Sequence, residues 1–324
     1  MNAQMDRLVI HIGYHKTGTT YLQRSVFAHH PSIVFLGQPF PNYELRCFLR
    51  QFKFTPDLEF SDSHMRERFR HLADKVIGEK SPQAQILVPL LSVESLHSGS
   101  EWFGARVVEM AERIHAVFSP CKILLTIRNQ ADYILSNYRE YVIHGGRLHL
   151  NSFLQDSFQY ECWLRPKLHY DRMLELYAKL FGEEMVGVVL FEDFREDVRG
   201  TVRGILEYAG VDPMEDINLT VRYGSLSDAA VKVLRHFNRL LCGDFVEQYN
   251  MVGRPQVWPS RERVRRKMIA ALRKVGPLLG CKSTSGLMSE SQRRMVKDHF
   301  SQSNRALSEM LGRRDLASIG YFCE

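Results

Sequence analysis

A segment rich in glycine, lysine and threonine carries the residue types that hold phosphate groups. It runs Gly13-Tyr14-His15-Lys16-Thr17-Gly18-Thr19-Thr20. The backbone N–H groups of such a loop, together with the N-terminus of a helix that follows it, attract an anion. The glycines permit a close approach of the backbone, the lysine adds a full positive charge, and the threonine hydroxyls add donors. The segment is therefore predicted to bind a phosphate-like group.

The place of the lysine distinguishes this loop from the loop of nucleoside-triphosphate enzymes. In the pattern G-x-x-x-x-G-K-[ST], the lysine follows the second glycine and contacts the β- and γ-phosphates, and the next hydroxyl contacts Mg²⁺. Here Thr19 follows Gly18, and Lys16 lies inside the loop. We therefore expect the loop to hold a shorter 5′ anion chain than a triphosphate, without a metal ion.

The elements that position the loop follow from the apolar pattern. Leu8–Ile12 is a short apolar run before a glycine, which predicts a buried strand, and Thr19–His29 has the spacing of a helix. Further strands are predicted at Ser32–Leu36, at Val76–Ile77 before a turn over Gly78–Pro82, at Lys122–Ile127 and at Met185–Phe191.

Helices are predicted between and after these strands, with Asn129 and Asp132 as a capping arrangement. They cover an irregular stretch at 42–76, then 102–118, 129–144, 151–163, 167–181, 195–209, 227–242, 262–275 and 289–311. Strands alternate with helices over the first 210 residues, so we predict an α/β fold with a parallel sheet covered on both faces. The chain is predicted to be a single domain, 1–324, with a cofactor-binding core at 1–210 and a helical part at 211–324.

Composition and patterning exclude several classes of protein. The 324 residues are 44% hydrophobic and 25% charged, which is typical of a globular protein and excludes disordered, collagen-like and coiled-coil chains. The first residues lack the pattern of a signal peptide, and no run approaches the roughly 18 apolar residues of a membrane span. The six cysteines are dispersed without a CxxC pair, so no zinc or redox motif is expected. A cytoplasmic protein is predicted.

Positive charge is concentrated in the last part of the chain. The net charge is +6, but residues 254–324 contain 15 Lys and Arg against 6 Asp and Glu, while the rest of the chain is slightly acidic. Such a bias suits an anionic partner, such as a nucleotide, an acidic glycan, a membrane surface or nucleic acid. Solvated faces of helices explain the same charge equally well.

Four segments together resemble the sulfotransferases that use 3′-phosphoadenosine 5′-phosphosulfate (PAPS), bacterial members above all. The first is the stretch H-I-G-Y-H-K-T-G-T-T-Y-L-Q that contains the loop. The second is Ile127–Tyr138, in which an arginine ends a strand and a serine follows eight residues later. The third runs from Tyr170 to Phe194, and the fourth is the pair Ser303-Asn304. The resemblance covers most of residues 7–210 and is sparse beyond.

The resemblance implies a P-loop-type parallel sheet flanked by helices and the transfer of a sulfuryl group from PAPS to a hydroxyl or amine. Arg128 and Ser136 occupy the positions that hold the 3′-phosphate in the family. The residues implied for the 5′-phosphosulfate are Lys16, Thr17, Gly18, Thr19 and Thr20. Lys16 would also meet the negative charge that develops on the bridging oxygen. A basic glycine loop for the second side of the 3′-phosphate is not found.

The acceptor needs a general base, and two residues are candidates. Glycan sulfotransferases carry a Glu-Lys-Ser/Thr phrase in which the glutamate is the base, and Glu79-Lys80-Ser81-Pro82 resembles it. His15 is the alternative because it lies in the loop itself. The acceptor is expected to be carbohydrate-like, a glycan or a lipid-linked sugar, with a small alcohol left open; nucleic acid is not expected as a partner, and the oligomeric state is open.

Two other functions compete with sulfuryl transfer. The first is a P-loop kinase or nucleotide hydrolase, for which Glu192 or Asp193 at the end of a strand would hold Mg²⁺. The absence of the Gly-Lys-Thr order argues against it. The second is a protein without catalytic activity that binds an acidic polymer through the basic C-terminal part, and such binding would weaken steeply with salt.

Overall fold

The protein is described by a computed structural model. It describes residues 5–14, 16–80, 87–94, 96, 106–159, 165–214, 226–241, 259–275 and 286–321. His15 and Ser81–Pro82 from the predicted site lie outside these ranges, and so do residues 102–105 of a predicted helix.

A five-stranded parallel sheet forms the centre of the fold. The strands are β1 (Val9–Gly13), β2 (Ile33–Phe35), β3 (Val88–Ser92), β4 (Lys122–Ile127) and β5 (Val186–Leu190). Their order in the sheet is β2-β3-β1-β4-β5, and every neighbouring pair is parallel. All five residues of β1 are buried, as expected of a strand covered on both faces. The prediction of a parallel α/β sheet of P-loop type is confirmed.

Helices cover both faces of the sheet. Those between the strands are α1 (Thr19–Tyr21), which continues as a π-helical stretch (Leu22–Phe27), α2 (Tyr43–Phe54), α3 (Asp62–Glu79), α4 (Val107–Phe118), α5 (Gln130–Ile143), α6 (Leu150–Gln159), α7 (Arg165–Leu168) and α8 (Tyr170–Phe181). Those after β5 are α9 (Phe191–Glu196), α10 (Val198–Ala209), α11 (Asp228–Leu241), α12 (Pro259–Val275) and α13 (Glu290–Leu311).

Alternate residues of β1 point to two separate apolar cores. Val9 packs with the π-helical stretch and α10 on one face, whereas Ile10 and Ile12 pack with α4, α5 and α8 on the other. This alternation follows from the two-residue period of a strand. The central strand is thereby fixed in register, and the segment that follows Gly13 emerges at a defined edge of the sheet.

The prediction of a strand at Val76–Ile77 is wrong. These residues belong to the last turn and a half of α3. The buried residues of the whole helix are Met65, Phe69, Leu72, Ala73, Val76 and Ile77. That spacing is helical, so one apolar face continues to the end of the helix. The third strand is β3, which begins nine residues after Glu79 and occupies the place in the sheet between β2 and β1.

Among the described helices, none combines the length and the hydropathy of a membrane-spanning segment.

Candidate functional site

The glycine-rich loop lies at the carboxyl end of β1, next to the end of β4. Gly13 is in register with Thr126, and the N–H of Tyr14 donates to the carbonyl of Thr126 over 3.1 Å. A Cβ at Gly13 would lie 1.9 Å from the methyl carbon of Thr19, so only glycine lets the chain turn directly into α1. The loop therefore begins where two parallel strands end, which is where open α/β sheets bind ligands.

The second glycine of the loop initiates α1. Gly18 is the residue before the helix and has a φ of 80°, a backbone conformation that favours glycine. The N–H groups of Tyr21 and Leu22 donate to its carbonyl. The N–H groups that precede them in the first turn have no intrahelical acceptor, because no residue lies far enough upstream in the helix. These groups are available to an anion, as the sequence predicts.

Lys16 has an unusual backbone conformation, and its side chain contacts α5. Within the described part of the chain it is the one non-glycine residue with a positive φ, 66°. Its carbonyl accepts a hydrogen bond from Nη1 of Arg128 over 3.2 Å. Its Nζ donates to Oε1 of Glu140 over 2.5 Å, and the side chain is 43% exposed. The ammonium group is therefore at the surface of the loop and accessible to a ligand.

The three threonines of the loop differ in what their hydroxyls contact. The Thr17 hydroxyl donates to the carbonyl of Tyr14 over 2.5 Å and lies 2.8 Å from the Thr126 hydroxyl. The Thr19 hydroxyl donates to Glu94, and Thr20 is partly exposed. Thr17 thus anchors the loop to β4, so its backbone N–H, rather than its side chain, is the group available to an anion.

Arg128 directly follows β4 and reaches the loop. Beyond its contact with Lys16, its Nη2 lies 3.5 Å from Oδ2 of Asp132, and its guanidinium carbon lies 4.7 Å from the centre of the Phe191 ring. Its Nε is buried and makes no hydrogen bond to the described residues. A stacked guanidinium with a free donor suits a bidentate anion. The structure therefore brings the two predicted cations, Lys16 and Arg128, to one place.

Ser136 lies on the same face of α5 as the contacts of both cations. Asp132, Ser136 and Glu140 follow one another at intervals of four residues, and residues four apart lie on one side of a helix. Asp132 contacts Arg128 and Glu140 contacts Lys16, so the partly exposed Ser136 lies between two residues that touch the loop. A shared role of Arg128 and Ser136 in binding one phosphate stays a prediction.

Buried hydrogen bonds fix the backbone that carries Arg128. The Tyr170 hydroxyl donates to the Arg128 carbonyl over 2.7 Å, and the Asn129 side chain caps α5 by accepting from the N–H of Asp132. Glu192 accepts from the backbone and side-chain N–H groups of Asn129, at 3.0 and 2.8 Å, and from the Tyr321 hydroxyl at 3.1 Å. Burial raises the pKa of both tyrosines. Both tyrosines therefore stay protonated and keep donating.

Glu192 is thus a structural acceptor rather than a site for Mg²⁺. Its two carboxylate oxygens are committed to Asn129 and Tyr321. Asp193 is likewise paired, because both terminal nitrogens of the Arg313 guanidinium contact its carboxylate. Among the described residues, no group of three or more His, Cys, Asp or Glu side chains is arranged to hold a metal ion. Donor binding without a metal stays a prediction.

Glu79, the first candidate for the base, lies at the opposite edge of the sheet. It is exposed at the end of α3, and the ammonium of the next residue, Lys80, donates to the carbonyls of His30 and Ile33 at the start of β2. By the register of β2, β3 and β1, Ile33 lies six residues before the level of Gly13. That is about 20 Å along a strand. The structure therefore does not bring Glu79 to the loop.

A different carboxylate contacts the loop. Glu94 lies two residues after β3 and accepts the hydrogen bond of the Thr19 hydroxyl. It is partly buried, and its strand is adjacent to β1, so it lies at the same edge of the sheet as the loop. Its place at the site is not predicted from the sequence, because the strand that positions it, β3, is not predicted either. The available signal was the apolar run Leu87–Val93 with a glutamate directly after it.

A buried polar cluster lies behind Glu94. His11 of β1 faces Ser92 of β3, with its Nδ1 2.7 Å from the serine hydroxyl, which also accepts from Nε2 of Gln23 over 3.0 Å. Burial lowers the pKa of His11 to about 4, against the opposing effect of the Glu94 charge. His11 is therefore neutral at pH 7 and joins β1 to β3 through Ser92.

A cavity of about 600 Å³ adjoins the Arg128 side of the site. It is lined by Asn129, Asp132, Glu192, Arg195, Arg293 and the segment Ser318–Gly320, among others. Asp132 belongs both to this lining and to the ion pair with Arg128. The volume is in the range of small-molecule sites, and two further arginines lie along it.

Comparison with known proteins adds a family match. A family model described as the sulfotransferase family matches residues 9–216. This match spans well over half of the chain and includes the loop, Arg128 and Ser136. No curated protein matches the chain in a sequence comparison.

Several solved structures are similar at low sequence identity. A sulfotransferase from Alicyclobacillus acidocaldarius is 20% identical, with 72% of this chain and 92% of that chain covered and a TM-score of 0.48. A mouse sulfotransferase complexed with PAP is 13% identical, with 97% and 89% covered and a TM-score of 0.45. Retinol dehydratase in complex with androsterone and inactive cofactor PAP is 12% identical, with 88% and 83% covered and a TM-score of 0.33.

Proposed function

Because the chain belongs to the sulfotransferase family, we propose that it transfers a sulfuryl group from PAPS to a hydroxyl or amine of an acceptor. The choice of PAPS as donor is supported by one contact: Arg128 donates to the carbonyl of Lys16 at the carboxyl ends of β1 and β4. One cation belongs to a phosphate-type loop, and the other has a buried Nε without a hydrogen bond to the described residues. Two cationic positions match a nucleotide with anionic groups at both the 5′ and the 3′ positions.

In this proposal the loop holds the 5′ end of the donor. The N–H groups of Thr17, Gly18, Thr19 and Thr20 and the ammonium of Lys16 contact the 5′-phosphosulfate. Arg128 and Ser136 hold the 3′-phosphate, since Arg128 reaches Asp132, which lies one turn before Ser136 on the same side of α5, and a guanidinium offers several donors to one phosphate. The donor supplies an activated sulfuryl group whose S–O bond to the 5′-phosphate breaks during transfer.

The residues contribute mainly position and charge. A new S–O or S–N bond forms to the acceptor, and the electron pair of the broken bond stays on the phosphate oxygen. Lys16 stabilises that developing negative charge, which is the larger part of catalysis in transfers of this type. The exposed position of its ammonium and the firm anchoring of the loop by Thr17 support this role.

The proton of the acceptor needs a base at the same edge of the sheet, and we propose Glu94. It touches the loop through Thr19, whereas Glu79 precedes Lys80, whose ammonium contacts Ile33, and Ile33 lies about 20 Å along the strands from the level of Gly13. A carboxylate there can accept the acceptor's proton as the new bond forms. His15 remains the second candidate, because it belongs to the loop by sequence.

The cavity beside Arg128 is proposed to take the nucleoside side of the donor. Arg195 and Arg293 line it, and they are candidates for the second side of the 3′-phosphate, for which the sequence offers no basic glycine loop. An Arg293→Ala variant is then expected to weaken binding of 3′-phosphoadenosine 5′-phosphate (PAP) and to leave binding of AMP unchanged. Equal affinity of the parent and the variant for PAP would contradict the assignment.

Transfer of ³⁵S-labelled sulfate from PAPS to a panel of acceptors tests the function. Carbohydrate and lipid-linked sugar acceptors come first, followed by small alcohols and amines. The proposal expects labelled product in the presence of a chelator, and its loss in Lys16→Ala. ATP consumption that depends on Mg²⁺, with no transfer from PAPS to any acceptor, would favour a kinase or hydrolase instead.

A further inference from the structure

Each of the two cations at the loop is paired with a carboxylate from α5. Arg128 lies 3.5 Å from Asp132, and Lys16 lies 2.5 Å from Glu140. The two carboxylates lie on one side of the helix, two turns apart, with Ser136 between them. An anion that binds both cations must therefore compete with two built-in carboxylates.

The pair of Lys16 and Glu140 is the more open of the two. The side chains are 43% and 30% exposed, so water and ligands reach the ammonium without any movement of the backbone. The carbonyl of Lys16 is held separately by Arg128. The ammonium is thus free to change partner while the loop backbone stays in place.

We propose that Glu140 is a positioning residue for Lys16, and that the 5′ anion of the donor takes over the ammonium that Glu140 holds in the ligand-free protein. This inference rests on the proposed use of PAPS. Glu140 holds the ammonium of Lys16 in the ligand-free protein, and because it competes with the donor for that ammonium, its net effect is to weaken donor binding. Competition of this kind weakens the binding of donor and product alike, which favours product release.

Calorimetric titration with PAP, the product nucleotide, tests the proposal. In Glu140→Gln the ammonium loses its competing carboxylate, so PAP is expected to bind about two- to fivefold more tightly than to the parent, the range that the usual strength of an exposed ion pair allows. If Glu140 only supported the local structure, PAP would bind more weakly or equally. Either of those results would overturn the inference.

A double-mutant cycle separates an effect through Lys16 from simple repulsion between Glu140 and the ligand. In a Lys16→Met background, Glu140→Gln is expected to give less than a twofold gain, because no ammonium remains to be released. A gain as large as in the parent would show repulsion alone and would contradict the proposed role.

A control variant and the affinity of the parent itself complete the design. Glu175→Gln removes an exposed carboxylate from α8 and is expected to leave PAP affinity unchanged; a gain equal to that of Glu140→Gln would mean that any lost negative charge has this effect. A parent that does not bind PAP at all would overturn the proposed donor together with this inference. A parent that binds PAP without any gain in Glu140→Gln would overturn the role of Glu140 only.

Discussion

Arg128 joins the loop, α5 and α9 through one guanidinium group. It donates to the Lys16 carbonyl, lies beside Asp132 and stacks on Phe191. Because this side chain is held on three sides, its remaining donors are directed at a fixed position. Selectivity for a 3′-phosphate is therefore expected to depend on this residue.

Replacement of Arg128 by alanine is expected to weaken PAP binding by about 1.5–3 kcal/mol, the usual contribution of a hydrogen bond to a charged group. The loss should be much smaller for AMP, which lacks the 3′-phosphate. Calorimetry with both nucleotides measures the difference. Equal losses would show that Arg128 acts on the loop in general and not on the 3′-phosphate.

The two glutamates Glu94 and Glu79 make a matched pair for the base. Glu94→Gln is expected to keep PAP affinity while turnover falls by about 10²-fold or more, since a general base acts only on the reacting acceptor. Glu79→Gln should retain parent-like turnover, because it lies at the far edge of the sheet. Steady-state rates with any working acceptor, beside PAP affinity, give the comparison. Full turnover in Glu94→Gln would redirect the assignment to His15, and a slow Glu79→Gln would contradict the geometry described here.

At the scale of elements, strand β3 marks the limit of prediction from sequence. Four of the five strands and the helix capped by Asn129 follow from apolar runs and turn residues, but β3 contains Pro89, and proline in a sheet is normally confined to edge strands, the first residue of a strand or bulges. The β1–β3 register begins at Val9 and Leu90, so the proline lies one position before that ladder and its missing N–H removes no bond from it. Whether proline is tolerated in β3 therefore depends on where the neighbouring strand β1 begins to pair with it. The local sequence of β3 does not reveal that.

The same limit applies to the site. The proximity of the loop and Arg128 is predictable because each occurs at the junction of a strand and a helix, whereas the role of Ser136 stays a prediction. Glu94 and Glu140 are not predictable, because their importance arises from contacts with residues 75 and 124 positions away in the chain. Glu79 shows the opposite case. The Glu-Lys-Ser sequence that resembles a family motif begins there, but at the end of the helix α3 rather than of a strand.

A comparison of Gly18, which precedes α1, with Gly204 in α10 tests whether the backbone before α1 requires glycine. At Gly18 the φ is 80° and a Cβ would lie 2.7 Å from the Phe194 ring, whereas a Cβ at Gly204 in α10 would meet no atom within 4 Å. Gly18→Ala is expected to lower the free energy of unfolding by about 1–3 kcal/mol through backbone strain and to weaken PAP binding. Gly204→Ala should raise the free energy of unfolding by about 0.5–1 kcal/mol. Urea denaturation measures the free energy of unfolding of both variants. A Gly18→Ala protein as stable as the parent would show that alanine is not strained at this position.

At the scale of the whole molecule, the buried His11 couples stability to pH. The unfolded chain binds a proton at this residue near pH 6.5, whereas in the folded protein burial lowers the pKa to about 4. Between these values the unfolded state binds more protons, so stability falls as the pH falls. From pH 7 to pH 5 this residue alone is expected to reduce the free energy of unfolding by about 2 kcal/mol.

A His11→Gln variant measures that contribution. Its other titrating groups are those of the parent, so its loss of unfolding free energy between pH 7 and pH 5 should be smaller than the parent's by that same amount. Urea denaturation at the two pH values gives both numbers. Equal losses in the two proteins would show that His11 is accessible to protons in the folded state.

The parallel sheet places the loop, Arg128 and Glu94 at one edge because β1, β4 and β3 are neighbours that all end there. We expect this edge to bind a nucleotide with anionic groups at both ends of its ribose. Calorimetric titration of the parent protein with PAP, in the presence of a chelator, is the measurement that tests this. Saturable one-to-one binding of PAP is expected, at least tenfold tighter than that of AMP, in line with the loss of one charged hydrogen-bonding group. Equal affinity for PAP and AMP, or binding of ATP with Mg²⁺ in place of PAP, would contradict it.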